Sequence, residues 1–171
     1  MNLRLIVRGI DRFSREIGHA VSWLTLALVI LTTVDVTMRY AFHTGFVWVQ
    51  ELEWHLFGLT FLLAGGYALR ENAHVRVDIF YSKMSPRTKA WVDLVGTIVI
   101  LFPVCALVIW SSHKFVANSW GFQEGSPDPG GIPARYLLKT MIPVGFALLA
   151  IQGVAEGLRN YLKLTGREDA P

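Results

Sequence analysis

The sequence predicts an all-α integral membrane protein of four transmembrane helices, preceded by an N-terminal amphipathic interfacial helix. Three observations lead there. Hydrophobic residues make up 53% of the 171 residues against 17% charged, and the mean hydropathy is +0.41, too apolar for an ordinary soluble domain of this size. The apolar residues fall in continuous blocks, near 17–42, 51–70, 90–113 and 136–158, each close to the ~20 residues that carry a helix across ~30 Å of hydrocarbon. Basic residues, finally, gather on alternate connections. Arg4, Arg8, Arg12 and Arg15 precede the first block, Arg70, Arg76, Lys83, Arg87 and Lys89 separate the second from the third, and Arg159, Lys163 and Arg167 follow the fourth. Only Arg39, Lys114, Arg135 and Lys139 remain for the other side. By the positive-inside rule both termini are cytoplasmic, and the pI near 9.2 gives no reason to invoke nucleic acid. The four blocks leave a single membrane domain over 1–171, with a cytoplasmic tail at 159–171. Any soluble activity must then belong to a partner.

In the segment 1–16, Leu3, Ile6, Ile10 and Phe13 recur at three- and four-residue spacing and Ile17 continues the line, while Arg4, Arg8, Asp11, Arg12 and Arg15 take other faces. That is the pattern of a helix in the headgroup region; the other reading is a cytoplasmic extension of span one. No small-residue cleavage site follows the apolar core, so the first span reads as an uncleaved signal anchor. Its outer end, "VDVTMRY", carries Asp35 and Arg39, four apart and on one helix face, with the acid on the favourable N-terminal side. Intramembrane ionisable residues raise an ion-path hypothesis. Set against it is a local pair that fixes helix rotation and meets a neighbouring helix.

Span two opens on "WVQELEWHLF", whose Glu51 and Glu53 could answer Arg39, Lys114 or Lys139, or suit the positive end of the helix dipole. No nucleophile or metal set accompanies them, so no enzyme is expected. Gly58, Gly65 and Gly66, with Ala64 and Ala68, would let helices approach closely in lipid. Ser85 and Pro86 read as N-cap and first residue of the third helix. Cys105, the only cysteine, falls deep in span three as a small apolar packing residue. Pro103 and Pro143 are expected to kink spans three and four, and Gln152 to hydrogen-bond to another helix. The outer stretch "ANSWGFQEGSPDPGGIPARY" has three prolines and four glycines, which excludes regular structure through its middle. Trp48, Trp54, Trp110 and Trp120 fall near the outer interface and Trp23 and Trp91 near the inner one, as anchors do. His55 and His113 at one side, and His19 and His74 at the other, allow an alternative: the haem-binding anchor of a redox complex. Span-end ligands suit haem poorly, because they lack a deep apolar pocket. A membrane scaffold unrelated to transport is a further alternative.

The succession "TTVDVTMRYAFHTGFVWVQELEWHLFGLTFLLAGGYALRENAHVRVDIF" resembles the small (Q-type) membrane subunit of tripartite ATP-independent periplasmic (TRAP) transporters. The resemblance rests on Arg39, Tyr40, Trp48, Glu51, Leu52, Gly65, Gly66, Arg70, His74, Arg76 and Asp78, and extends over about 17–160. It implies an accessory subunit packed on the scaffold of a large membrane subunit that carries substrate and sodium sites, in the bacterial inner membrane. A periplasmic binding protein would deliver the substrate. The later stretch "GSPDPGGIPARYLLKTMIPVGFALLAIQG" resembles a branch associated with organic acids, including 2-oxo acids. On this resemblance Asp35, Arg39, Glu51, Arg70, His74 and Asp78 are interface or orientation residues. The loop residues Glu124, Asp128 and Arg135 could meet the binding protein. No cofactor or metal is expected in this chain, since the sodium ions belong to the large partner.

Overall fold

The computed structural model describes residues 3–73 and 81–166; His74, Arg76 and Asp78 lie outside the described residues. The described residues are all-helical, with no strand. They form α1 (Leu3–Ala41), α2 (Val47–Arg70), α3 (Pro86–Gly121) and α4 (Arg135–Leu164). Three of these, α1, α3 and α4, are long and apolar enough to cross a membrane. The helix α2, at 24 residues, is long enough, but Gln50, Glu51, Glu53 and His55 make its first turns polar.

The expected boundary between an interfacial helix and the first span is absent. α1 runs unbroken for 39 residues, about 58 Å at ~1.5 Å per residue, nearly twice the hydrocarbon thickness. The cause lies in the helix face beside the apolar stripe. Val7, Ser14, Gly18 and Val21 are buried, and Ser14 and Asp11 bond to α4, so this face packs on protein and the segment continues the span. α4 in turn extends to Leu164, six residues past the expected end at 158, to meet it.

Ser85 caps α3 as expected: its Oγ accepts the Thr88 N–H at 3.2 Å, with Pro86 as the first helical residue. Pro103 has no N–H and its ring would press on the carbonyl of Val99. The helix answers with a π-turn over Thr97–Leu101, where the Phe102 N–H reaches back to the Thr97 carbonyl, the usual local solution to such a conflict. α4 continues as one helix through Pro143. α3 itself extends to Gly121, two turns past the expected end at 113, so that between α3 and α4 only 122–134 is irregular.

α4 is the hub, packing against α1, α2 and α3, while α1 and α2 also pack on each other and α3 rests on α4. The interior is more polar than the surface. Gln152, Asn160 and Cys105 are the largest fully buried side chains, joined by Ser14, Asp35, Glu51, Thr97, Ser112, Ser119 and Glu156. Outside stand Trp23, Trp110, Phe57, Phe61, Val99 and Ile100. Apolar outside and polar inside is what a hydrocarbon solvent selects.

Candidate functional site

The polar groups collect at the two ends of the bundle, joined by a seam of small residues. At one end Glu51, 4% exposed, is the anchor of the 122–134 loop. Its carboxylate accepts from the Ser126 hydroxyl, from the Ile132 backbone N–H at 2.6 Å, and faces Arg135 Nη2 at 3.6 Å. Arg135 also lies over the Trp54 ring at 5.0 Å. Gly131 is required beside this cradle, because a Cβ there would stand 2.7 Å from Glu51 Oε2 and strike Ser126. His55 Nδ1 lies 2.6 Å from the Glu51 carbonyl oxygen, while His19 and His113 are exposed.

A second anchor is Glu124, which accepts from the Lys139 ammonium and, at 2.7 Å, from the Ser119 hydroxyl. These two donors, the Lys139 ammonium foremost, hold its carboxyl below the usual carboxylate range. A carboxyl that titrates lower when folded contributes to loop order at neutral pH and loses that contribution as pH falls through its folded value. Acidification below the usual carboxylate range is therefore expected to loosen the loop. A fluorophore on Gly130→Cys, in a Cys105→Ala background, should report this loosening. In Glu124→Gln the acid-dependent step should disappear.

Glu51 and Glu124 thus serve the loop, and the expected pairing of Glu51 or Glu53 with Arg39, Lys114 or Lys139 does not form. Arg39 instead pairs with Asp35 and Lys139 with Glu124, because each finds a carboxylate closer along its own surface. Asp35 is 3% exposed while Arg39 is 46% exposed; the acid is held inside and the guanidinium covers it from the rim. Glu53 keeps one buried carboxylate oxygen without a hydrogen bond, as does the Thr60 hydroxyl. Arg70 pairs with its neighbour Glu71. Asp128 is exposed.

Along the seam, α2 and α4 approach to backbone contact. A Cβ on Gly145 would lie 2.5 Å from the Leu62 carbonyl oxygen, and one on Gly66 would lie 3.3 Å from that of Leu148. Gly58 faces Leu138 at 3.4 Å, whereas Gly65 is only in ordinary contact with Leu149 at 3.9 Å. The α1–α2 contact depends on Gly18, on which the Tyr67 ring sits.

At the opposite end Gln152 joins two helices: its Oε1 accepts from Ser14 Oγ at 2.6 Å and its Nε2 donates to Asp11 Oδ1 at 2.9 Å. Arg159 Nη2 donates to both Asp11 oxygens, at 2.9 and 2.8 Å, and its Nη1 donates to Glu156. Asn160 completes the set by donating to Glu156 at 3.1 Å. The sequence reading anticipated Gln152 alone. Of its partners, Asp11 reads from the sequence as part of the polar face of the N-terminal segment and Arg159 as an orientation signal, while Ser14, Glu156 and Asn160 carry no expectation. A usable signal existed, since Gln152, Glu156 and Arg159 at i, i+4 and i+7 form one polar face inside a helix.

Among the described residues no group of three or more His, Cys, Asp or Glu is placed to hold a metal. Across residues 28–162 the chain matches the family model described as "Tripartite ATP-independent periplasmic transporters, DctQ component". The chain belongs to the DctQ family. A Haemophilus influenzae chain described as a TRAP transporter small permease protein is 29% identical over 126 residues, 71% of this chain and 78% of that one. The C4-dicarboxylate TRAP transporter small permease protein DctQ of Vibrio cholerae is 23% identical, covering 74% of this chain and 62% of its own. The isethionate TRAP transporter permease protein DctMQ of Oleidesulfovibrio alaskensis is 26% identical over 84% of this chain, which spans only 23% of that longer protein. The DctQ match begins within α1 and ends within α4, so it takes in the loop anchors, the glycine seam and Gln152, Glu156 and Arg159, but not Asp11 or Ser14.

Proposed function

We propose that this chain is the small accessory subunit of a sodium-coupled TRAP secondary transporter that imports an organic acid delivered by a periplasmic binding protein. It would reside in the bacterial inner membrane with both termini cytoplasmic and α2 as a fourth span. The observation that carries this reading is DctQ membership through all four helices. Membrane components of this family partner with a large subunit, and in the DctMQ relative the matched region is part of one much longer chain. The chemistry agrees: the buried carboxylates Asp35, Glu51 and Glu156 accept from partners within the chain, as befits a scaffold. Asp128 is exposed and Glu124 and Arg135 are part-exposed, so these three are the loop residues offered to a binding protein.

Co-purification with the large subunit tests the assignment, and the Asp35–Arg39 pair refines it. Arg39→Ala strands a buried carboxylate, so it should weaken assembly more than Asp35→Ala with Arg39→Ala, since an orphaned buried charge is the costly state. Intact assembly in the single variants together with abolished sodium-coupled uptake would move the pair from scaffold to transport chemistry.

A further inference from the structure

We infer that the cleft between the N-terminal end of α3 and the C-terminal end of α4 binds the phosphate of an anionic phospholipid in the cytoplasmic leaflet. This rests on the membrane orientation proposed above, and not on the transport assignment. The cleft has a volume of about 680 Å³, and its walls include Tyr81, Arg87, Lys89, Asp93, Asn160 and Lys163. Three cations therefore face it with a single carboxylate, and that carboxylate already accepts the Tyr81 hydroxyl at 2.7 Å. Lys89 is loosely held, with Nζ 3.4 Å from the Ser82 carbonyl oxygen and 5.2 Å from the Tyr81 ring centre. Arg87 and Lys163 are exposed and form no ion pair among the described residues. The carbonyls that end α4 would repel an anion, but the Thr165 hydroxyl and the Thr165 and Gly166 N–H groups cover those of Tyr161, Leu162 and Lys163. What remains is a positive concavity.

Depth and apolar surroundings identify the ligand as a lipid. Trp91 is 53% exposed one turn along α3 from Arg87, and exposed Trp side chains mark the headgroup level. Beyond it Val95 and Ile98 continue an exposed apolar stripe at i+4 and i+7, where acyl chains would lie once the phosphate sits on Arg87 and Lys163. Basic pockets between helices on the cytoplasmic side are suited to anionic headgroups.

The test uses the full chain, delipidated in detergent, titrated with phosphatidylglycerol or phosphatidylcholine and followed by native mass spectrometry. Saturable retention of one phosphatidylglycerol in preference to phosphatidylcholine is expected. Arg87→Gln with Lys163→Gln should weaken it about tenfold or more, since each cation near an anionic surface contributes several-fold. Arg12→Gln with Arg15→Gln, on exposed positions of α1, should leave it unchanged. Arg87→Lys with Lys163→Arg keeps both charges and should retain binding, which separates loss of charge from loss of fold. Equal retention of phosphatidylcholine, or undiminished phosphatidylglycerol on the Gln variant, would overturn the inference. Full displacement of the lipid by inorganic phosphate would overturn it too, assigning the cleft to a soluble anion. Periplasmic labelling of Thr165→Cys would remove the cytoplasmic leaflet while leaving the family assignment intact.

Discussion

Glu51→Ala is expected to detach the 122–134 loop from the bundle. The substitution withdraws the acceptor of the Ser126 hydroxyl and of the Ile132 N–H, and leaves Arg135 without its carboxylate. Hydrogen bonds to an ionised acceptor are about twice as strong as neutral ones, and the donors they satisfied are left behind under the loop. Limited proteolysis at the loop should accelerate on the order of tenfold or more for each such bond lost. Glu51→Gln should fall between the two, because an amide oxygen can keep one donor while its NH2 opposes the other. If both variants are cleaved at the native rate, Glu51 does not anchor the loop.

The second large effect is expected at Gly145. A Cβ there meets the Leu62 carbonyl oxygen at 2.5 Å and its carbonyl carbon at 3.0 Å, and these are backbone atoms that no rotamer change can move. Gly145→Val must push α2 and α4 apart along the whole seam. Overpacking costs typically ~1–3 kcal/mol, and a backbone obstacle places this variant at the upper end. Thermal unfolding in detergent, followed by tryptophan fluorescence, should show a clear loss. Gly65→Ala is the control, with its nearest neighbour at 3.9 Å. Equal stability of the two variants would mean that the seam does not control the α2–α4 approach.

The contrast between Gly65 and Gly145 shows what the sequence could reveal. Gly58, Gly65 and Gly66 stand out because small residues cluster in one apolar block, but composition cannot say which of them faces a backbone. Gly145, beside Pro143, carries no such cluster. Features with a local cause were legible: the Ser85–Pro86 helix start, the turn-rich loop, and the four-residue Asp35–Arg39 spacing. The pairing of Asp11 with Arg159 spans 148 residues, and nothing in periodicity encodes it. The same limitation explains the N-terminal segment. The apolar stripe points to a headgroup-facing helix, but the line that packs on protein is the neighbouring one of Val7, Ser14, Gly18 and Val21, half of it small residues, while Phe13 of the stripe stays exposed. Glu51 stands out in the sequence as a charged residue at the start of an apolar block, yet its partners lie in a loop whose path is set by prolines and glycines rather than by any repeat.

The packing of α3 bears on how the chain is made. Synthesis delivers α3 before α4, the helix on which it rests, so during insertion α3 waits in the bilayer without its principal neighbour. Its buried hydroxyls need none. Thr97 donates to the Asp93 carbonyl, Ser112 to that of Ile109, and Ser119 to Glu124 only five residues on. Such a helix can dwell among lipids without seeking a foreign polar partner. On α1, by contrast, Asp11 and Ser14 depend on Gln152 and Arg159, so α1, made before α4, acquires these polar contacts only when α4 is in place.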